Sequence, residues 1–324
     1  MTAWLARRIG QALLVIVAMT LVVFVGLHAI GNPADILIGE DLNQQERLEA
    51  IARLGLDRPL WQQYLAFVEG AVRGQLGRSF VYQEDAVRLI LQRLPATLEL
   101  AVSALVLAVV VGVPLGLYAG MKPDHWLSKL LMAGSIVGFS LPAFWVGLML
   151  IMVFSVQLGW LPASGRGATV EVLGIGWSWL TPDGLQHLLL PALNLALFKL
   201  SLVMRLTRAG VREILPQDFV KFARAKGLPT LRVMVRHVLR NTLIPLVTVL
   251  GLELGSTIAF AVVTETIFAW PGAGKLILDS INALDRPVVV AYLIVVVTLF
   301  VTINLVVDLL YRVLDPRVRL EAAK

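Results

Sequence analysis

The chain lacks cysteine altogether and has little charge for its length. Of its 324 residues, only 15% are Asp, Glu, Lys or Arg, while 58% are hydrophobic. A soluble domain carries roughly 25% charged residues, so the composition argues against an ordinary water-soluble protein. The absence of cysteine excludes disulfide bonds and metal sites built from thiolates.

Motifs for hydrolytic and metal chemistry are also missing. The four histidines, His28, His125, His187 and His237, lie in four different segments. An intramembrane hydrolase would need a serine paired with a histidine, or a metal motif such as H-E-x-x-H. The sequence has no such spacing. We therefore expect no catalytic residue, no metal site and no cofactor, and an intramembrane hydrolase is a disfavoured alternative.

Long apolar runs are what the chain has instead. Six runs can cross a membrane, and Lys199 and Glu253 are the only formal charges inside them; the runs are 9–30, 100–121, 130–165, 184–204, 241–264 and 287–307. A span needs about 20 apolar residues. Apart from closed β-barrels, only helices satisfy all of their own backbone hydrogen bonds in lipid. The sequence therefore predicts an all-α polytopic membrane protein with six transmembrane helices. The first run is too long for the core of a signal peptide, so we interpret it as an uncleaved span.

The apolar runs and the segments between them suggest a division of the chain. We expect an N-terminal transmembrane helix at 1–30, an external segment with short helices at 31–94, a five-helix core at 95–312 and a tail at 313–324. Within the external segment, residues 46–54 and 62–72 have amphipathic patterns.

The basic residues indicate how the spans are oriented. If the N-terminus is cytoplasmic, 17 of the 28 basic residues fall in cytoplasmic segments and 10 fall outside, with Lys199 inside a span. Seven of the outer ten lie in the long external segment, where the positive-inside rule weakens. We therefore predict that both termini are cytoplasmic. The net charge of +6 then reflects membrane orientation, and no nucleic-acid partner is expected.

The stretch "AWPGAGKLIL" at 269–278 contains a glycine–lysine pair similar to that of a phosphate-binding loop. A Walker loop requires G-x-x-x-x-G-K-[ST]. Here Ala269 stands where the first glycine is needed, and Leu276 follows Lys275 in place of the hydroxyl residue. The predicted orientation also puts this stretch outside, away from ATP. We interpret it as a turn before a short re-entrant or capping segment that follows the fifth span.

The segment 205–240, between the fourth and fifth spans, is long and carries nine basic residues. Pro216 and Gln217 precede Asp218 as a helix start, and the helix is expected to end with Gly227 in the C′ position. A second amphipathic piece would place Leu231, Val235 and Leu239 on one face. We interpret the first helix as a docking site for a partner; the alternative is that the charges only orient the loop.

These features resemble the permease subunits of ATP-binding-cassette importers, in the dipeptide, oligopeptide and nickel branch. The family's cytoplasmic loop follows E-A-A-x-x-x-G, of which Ala223 and Gly227 remain, and "FARAKGL…RHVLRNTLIP" is similar to the peptide-branch version. "PATLEL" at 95–100, "ETIFAWPGAGKL" at 265–276 and "NLVVDLLYRVLDPR" at 304–317 are also similar to family segments. The first external turn departs, with Ile-Gly-Asn-Pro at 30–33 where the family favours Pro-Gly-Asp-Pro.

The resemblance implies a type I ABC importer permease fold in the bacterial inner membrane. It also implies four partners: a second homologous permease subunit, two ABC ATPase subunits that hydrolyse ATP, and an extracytoplasmic substrate-binding protein. Peptides or peptide-like solutes are the expected cargo, with nickel chelates, glutathione and opines as alternatives. It assigns coupling to the ATPases to Asp218, Phe219, Phe222, Ala223, Arg224, Ala225, Lys226, Gly227 and Leu228, and an external turn to Glu265, Phe268, Pro271, Gly272 and Gly274.

Polar residues inside the spans are candidates for the translocation path. A charge at mid-bilayer costs about 2.5–3.5 kcal/mol on insertion scales, and Glu253 lies about a dozen residues from either end of its run. Glu253, Ser256 and Asn194 are our pathway candidates, with a structural contact or the seam between two permeases as the alternatives for Glu253.

Other intramembrane polar residues have simpler interpretations. We expect Lys199 to extend its side chain to the cytoplasmic surface. His28, Asn194 and Asn304 are expected to form hydrogen bonds between packed helices. An ion-coupled secondary transporter, the other alternative, usually has acids in several spans and inverted repeats. This chain has one deep acid, so that class is disfavoured.

Overall fold

In the computed structural model the described residues are 2–30 and 58–314. Three predicted features lie wholly or largely outside these residues: the turn at 30–33, the amphipathic pattern at 46–54 and the tail at 313–324. The chain divides into two compact units: Met1–Pro95 with Pro271–Leu305, and Ala96–Trp270 with Val306–Lys324.

The described part of the chain is mostly helical, as expected. Its helices are α1 (Thr2–Ile30), α2 (Leu60–Val72), α3 (Ala86–Met121), α4 (Trp126–Ser140), α5 (Ala143–Leu150), α6 (Pro182–Ile214), α7 (Asp218–Ala225), α8 (Thr230–Arg232), α9 (Arg240–Ile267), α10 (Ala273–Asn282) and α11 (Arg286–Leu314). Ile151–Gln157 and Val233–Leu239 are π-helical, and Ser178–Leu180 is a 3₁₀ turn. Strands β1 (Val170–Val172) and β2 (Ile175–Trp177) form an antiparallel hairpin in which Val170 pairs with Trp177.

Five described helices, α1, α3, α6, α9 and α11, are long and apolar enough to cross a membrane. The predicted uninterrupted third span is wrong. Helix α4 ends at Ser140, and the next helical segment, Ala143–Gln157, is bent by 106° relative to α4. Leu141 and Pro142 have extended backbone at this break, because a proline disfavours helical geometry in the residue before it. The count of six spans holds when the bent pair is taken as one crossing.

In the unit that contains residues 96–270, α3 and α6 approach closely along a row of glycines. Gly112, Gly116 and Gly120 repeat every four residues on α3 and face α6. A Cβ atom added at Gly116 would lie 2.6 Å from the carbonyl oxygen of Met204, and one at Gly120 would lie 2.7 Å from Val211. Small residues at such positions let the backbones of two membrane helices pack directly against each other.

Local sequence signals account for the start of α6. Thr181 has extended backbone, and its hydroxyl oxygen accepts a hydrogen bond from the amide of Gly184. Pro182 occupies the first helical turn, and Asp183 places a negative charge there. All three features favour a helix N-terminus.

In the other unit, α1 packs against α2. The Thr20 and Tyr64 hydroxyls are 3.0 Å apart, and the His28 ring lies 3.2 Å from the side-chain oxygen of Gln63. The amphipathic helix predicted at 62–72 is confirmed as α2. The prediction that His28 forms a hydrogen bond between packed helices is confirmed as well.

Candidate functional site

Helix α7 forms where the sequence predicts the docking helix. It runs from Asp218 to Ala225 after an extended Gln217. The Asp218 carboxylate lies in the first turn, where the helix dipole favours negative charge, and it accepts a 2.9 Å ion pair from Lys221. Both side chains are largely exposed, so this pair contributes little to stability.

The C-terminus of α7 is closed by Gly227, as predicted. Gly227 has φ +75°, in the left-handed region that glycine adopts without steric cost. The Gly227 amide donates to the Arg224 carbonyl at 2.9 Å, and the Leu228 amide donates to the Ala223 carbonyl at 3.4 Å. These two bonds form a Schellman motif, which satisfies carbonyls that the helix end would leave unpaired.

The two faces of α7 differ sharply. Val220 and Ala223 are buried in one apolar cluster with Val211 of α6 and with residues of the segment 233–238. About 100° around the helix, Phe219 is 45% exposed and Phe222 is 61% exposed. One face of α7 therefore packs against the helix bundle, and the rings of Phe219 and Phe222 remain exposed. The remaining predicted positions, Arg224, Ala225, Lys226 and Gly227, are exposed, and Leu228 packs against the cluster.

The face predicted for the second amphipathic piece of this segment, with Leu231, Val235 and Leu239, is largely exposed. Leu231 and Val235 are 77% and 51% exposed, whereas Val233, Met234 and Val238 are buried. The stretch Val233–Leu239 is π-helical. A π-helix bonds residue i to i+5 in place of i+4, so Val233 and Val238, which are five apart, point to the same side.

A cluster of charged and polar groups connects α6 with α9. The Lys199 ammonium bonds the Glu253 carboxylate and lies 3.0 Å from the Ser256 hydroxyl. The two charged side chains are 18% and 26% exposed. The expectation that Lys199 reaches the cytoplasmic surface is therefore wrong: it pairs with the deep acid, which offsets part of the cost of placing either charge among apolar helices.

Asn194 makes a different contact from the other two pathway candidates. Its side-chain amide donates a 2.9 Å hydrogen bond to the Thr264 hydroxyl, and the residue is fully buried between α6 and α9. Asn194 thus forms the hydrogen bond between packed helices that the sequence predicts for it. Its Oδ1 atom has no partner in the described part of the chain, and the same holds for the Oδ1 atom of Asn304.

The first part of the 265–274 turn is buried and tightly bonded. Glu265 is fully buried and accepts a 2.6 Å hydrogen bond from the Thr97 hydroxyl. Phe268 is buried too, and its carbonyl accepts from the amide of Gly165 at 2.8 Å. The indole of Trp270 donates to the Ala96 carbonyl at 2.9 Å. These contacts join the end of α9 to residues 96–97 of α3 and to the loop at Gly165.

The second part of the turn leads into α10. Pro271 and an extended Gly272 precede it, and Gly274 is buried in its first turn. The predicted short segment after the fifth span is therefore confirmed. Lys275, the residue that suggested a phosphate-binding loop, has its ammonium 2.6 Å from the Asp279 carboxylate one turn along the same helix.

Glu99 and Arg166 form a buried ion pair that the sequence did not reveal. Glu99 is fully buried, and Arg166 donates to its Oε2 atom at 2.5 Å and 3.0 Å. The backbone amides of Ser178 and Trp179 donate to Oε1 at 2.6 Å and 3.1 Å. These bonds fix the 166–179 hairpin region to α3. The available signal was an acid placed immediately before the second apolar run.

Family models match nearly the whole chain. The model described as the binding-protein-dependent transport system inner membrane component matches residues 112–320. The model for the N-terminal part of such components matches residues 1–101. Helices α6, α7, α9 and α10 all lie within the first of these matches.

Individual relatives align from end to end. The chain is 40% identical to a di/tripeptide transport system permease protein of Pseudomonas aeruginosa, with 98% of this chain and 99% of the relative covered. It is 37% identical to a dipeptide transport system permease protein of Escherichia coli, with the same coverage. It is also 37% identical to an oligopeptide transport system permease protein of Bacillus subtilis, again over 98% of this chain and 99% of the relative.

A solved structure has the same fold. The structure of the MetNI methionine ABC transporter in inward facing conformations matches with a TM-score of 0.55 and 17% identity, covering 70% of this chain and 96% of the matched chain. At this identity the match supports the permease fold and nothing about the transported solute.

Proposed function

Because the chain belongs to the family of binding-protein-dependent transport system inner membrane components, we propose that it forms one half of the translocation path of an ATP-driven importer of short peptides. The cargo is inferred from relatives named for dipeptides, tripeptides and oligopeptides, which align over 98% of the chain. The second half of the path is a homologous permease subunit, because one bundle of this size cannot enclose a peptide-wide channel alone.

Helix α7 is the element that couples ATP hydrolysis to transport. The observation that carries this assignment is its two-faced burial: Val220 and Ala223 are packed into the bundle, while Phe219 and Phe222 are exposed. Exposed aromatic rings on a short, capped helix are suited to fill a cleft on a soluble partner. Two ABC ATPase subunits supply such clefts, one for each permease.

The packing of α7 gives that docking a mechanical consequence. Its buried face shares one cluster with Val211 near the end of α6 and with Leu117 near the end of α3. A displacement of α7 by the ATPases is therefore transmitted to two spans, which shifts the bundle between inward-open and outward-open packings. Nucleotide drives this change only through contacts that differ between the two states.

The orientation follows from the basic residues. Both termini and the segment 205–240 lie on the cytoplasmic side of the bacterial inner membrane, where the ATPases are. The turn at 265–274 and the 166–179 hairpin region then lie on the opposite side, toward an extracytoplasmic substrate-binding protein. Buried Glu265 and Phe268 hold that end of α9 in place, so their role is to support the outer end of the path.

The Lys199–Glu253 pair, with Ser256, lines the translocation path. Its charges are partly exposed, unlike those of a pair that serves packing alone. A short peptide is a zwitterion, and an ammonium and a carboxylate held side by side can exchange partners with its two termini. Asn194 is fully buried and supports the two helices without contacting cargo.

Charge substitutions on α7 test the coupling role. The complete transporter is purified with Phe219→Asp and Phe222→Asp together, and ATPase copurification and ATP-dependent peptide uptake into proteoliposomes are measured. Both should fall to background, because carboxylates cannot enter an apolar cleft without a large desolvation cost. Leu173→Asp is the matched control for ATPase copurification, since Leu173 is 97% exposed in the β1–β2 turn, outside the segment that contains α7. Normal ATPase binding and uptake in the double variant would remove α7 from the mechanism.

A further inference from the structure

Three arginines lie on one face near the end of α6. Arg205, Arg208 and Arg212 are separated by three and four residues, which places them on the same side of a helix. Together with Met132 and Ile136 of α4 they line a cavity of about 320 Å³. This volume is in the range of small-molecule sites, roughly 300–1,000 Å³. The cavity is separate from the exposed face of α7 and from the Lys199–Glu253 pair.

The arginines of this cavity have no acidic partner among the residues that the structure describes. None of the three forms an ion pair with a carboxylate in residues 58–314. The Arg208 Nε–H is buried and has no hydrogen-bond partner within the described chain. Among the described residues, Arg205 donates only to the Ser201 carbonyl of its own helix, at 3.3 Å. A buried, unsatisfied donor on a charged group is costly, so the cavity is built to receive an acceptor that carries negative charge.

The other half of the cavity is apolar and continues along α4. Met132, Ile136 and Phe139 are spaced by four and three residues, so they form one stripe of the helix surface. Ile136 is 60% exposed and Phe139 is 56% exposed. The Phe139 ring lies 5.4 Å from the guanidinium carbon of Arg205, at the boundary between the basic and the apolar halves. A ligand that fits both halves has an anionic group at one end and a hydrocarbon chain at the other.

We propose that this cavity binds the phosphate of an anionic phospholipid, with an acyl chain lying along the Met132–Phe139 stripe of α4. The proposed orientation puts the arginines at the cytoplasmic end of α6, in the leaflet where anionic lipids attract basic residues. Arg205 and Arg212 are seven residues apart, which is about 10 Å along the helix axis, enough to span one headgroup region and the edge of the hydrocarbon core. Arginine is suited to this role because its planar fork bonds two phosphate oxygens at once. Lipid bound here would stabilise the α4–α6 pair.

Photo-cross-linking tests the site in the whole complex. The transporter containing the full chain is placed in phosphatidylcholine nanodiscs with a phosphatidylglycerol that carries a photoactivatable group on one acyl chain. After illumination, the cross-linked peptides are mapped by mass spectrometry. Cross-links should concentrate on 132–139. Arg208→Gln should lower their yield about fivefold, because one basic residue near an anionic headgroup contributes about 1 kcal/mol to lipid binding.

Two further variants distinguish specific binding in this cavity from nonspecific attraction of anionic lipid to basic residues. Arg232→Gln removes the same charge from an exposed position on α8 and should leave the yield unchanged. Ala209→Trp keeps every arginine but fills the cavity that Ala209 lines, and it should lower the yield as Arg208→Gln does. Because the Arg208 Nε–H has no hydrogen-bond partner among the described residues, the unfolding temperature of Arg208→Gln in pure phosphatidylcholine should match that of the wild type. Phosphatidylglycerol should raise that temperature only in the wild type and in Arg232→Gln.

Competition identifies the source of the phosphate group. Unlabelled phosphatidylglycerol should displace the probe, and inorganic phosphate at the same ionic strength should not. Displacement by inorganic phosphate would identify a site for free anions and overturn the lipid assignment. Equal yields in the wild type and in Arg208→Gln would overturn it as well, as would an equal loss in Arg232→Gln. None of these measurements depends on which solute is transported or on whether α7 couples to an ATPase.

Discussion

The ammonium of Lys199 bonds the carboxylate of Glu253 between α6 and α9, two helices that are each long and apolar enough to cross the membrane. The chain thus holds two opposite charges, 54 residues apart in sequence, at one position between two spans. Ser256 completes the cluster through a 3.0 Å contact to each of them.

The pair predicts a non-additive pattern of substitutions. Lys199→Met or Glu253→Met alone should destabilise the complex, because each leaves one partly buried charge without its partner. Fully buried pairs lose about 3–5 kcal/mol in this way, and partial exposure here lowers the expected loss. The double variant should recover most of the stability while remaining defective in peptide uptake. Unfolding temperature and uptake are measured on all three.

The outcome of that cycle separates a path-lining role from a structural one. If the double variant were both stable and fully active in uptake, Lys199 and Glu253 would serve helix packing only. Ser256→Ala is the mild comparison, since it keeps the ion pair and removes one hydroxyl.

Gly227→Val should uncouple transport without preventing membrane insertion. Gly227 has φ +75°, and non-glycine residues in such backbone regions cost on the order of 1–3 kcal/mol. That strain falls at the end of α7, so the helix end should fray and the ATPases should bind weakly. Copurification of the ATPases and uptake are measured together.

Gly74→Val is the matched control for this substitution. Gly74 has a similar φ of +73°, and a Cβ there meets no atom within 4 Å, as at Gly227. It lies outside α7, so its variant should retain ATPase binding. Poor insertion of Gly227→Val would instead identify Gly227 as a packing residue.

Gly116→Val should prevent the assembly of the bundle. Its Cβ would lie 2.6 Å from a backbone oxygen of α6, which no side-chain rotation can relieve. Overpacking of this kind typically costs about 1–3 kcal/mol, and more where backbone must move. Gly134→Val on α4 adds the same side chain where no atom lies within 4 Å, and it should be tolerated. The yield of monodisperse protein after detergent extraction is the readout, and equal yields from the two variants would contradict the α3–α6 packing.

Lys275→Ala should leave ATP hydrolysis by the complex nearly unchanged. The side chain pairs with Asp279 on α10, and a partly exposed pair within one helix contributes about 1 kcal/mol or less. A loss of turnover as complete as that caused by replacing the Walker lysine of an ATPase subunit would place this segment on the wrong side of the membrane.

Local features of the fold were predictable from the sequence, and contacts between distant segments were not. The start and end of α7 follow from Asp218 and Gly227, whose effects act within one helical turn. The break of the third span at Pro142 was also encoded locally, but the uncharged run around it favoured a continuous span. The π winding of 233–239 was not predictable, because no residue type specifies it.

The buried ion pairs depended on the folded arrangement. Lys199 was expected to reach water because its nearest surface lay a few residues along its own helix, whereas its partner comes from another span. Glu99 and Arg166 lie 67 residues apart, and only the packing of the hairpin region on α3 brings them together. Hydrophobic patterns predict which segments enter the membrane, but they do not predict which polar groups within those segments meet.

The most direct test of the account is peptide uptake by the reconstituted transporter. This chain, its partner permease, the two ATPases and the substrate-binding protein are placed in proteoliposomes without an ion gradient, and accumulation of a labelled dipeptide is followed. The account predicts uptake that requires ATP on the ATPase side and that disappears when this chain is omitted or replaced by the Phe219→Asp, Phe222→Asp variant. Uptake that proceeds without ATP and follows an imposed ion gradient would contradict it.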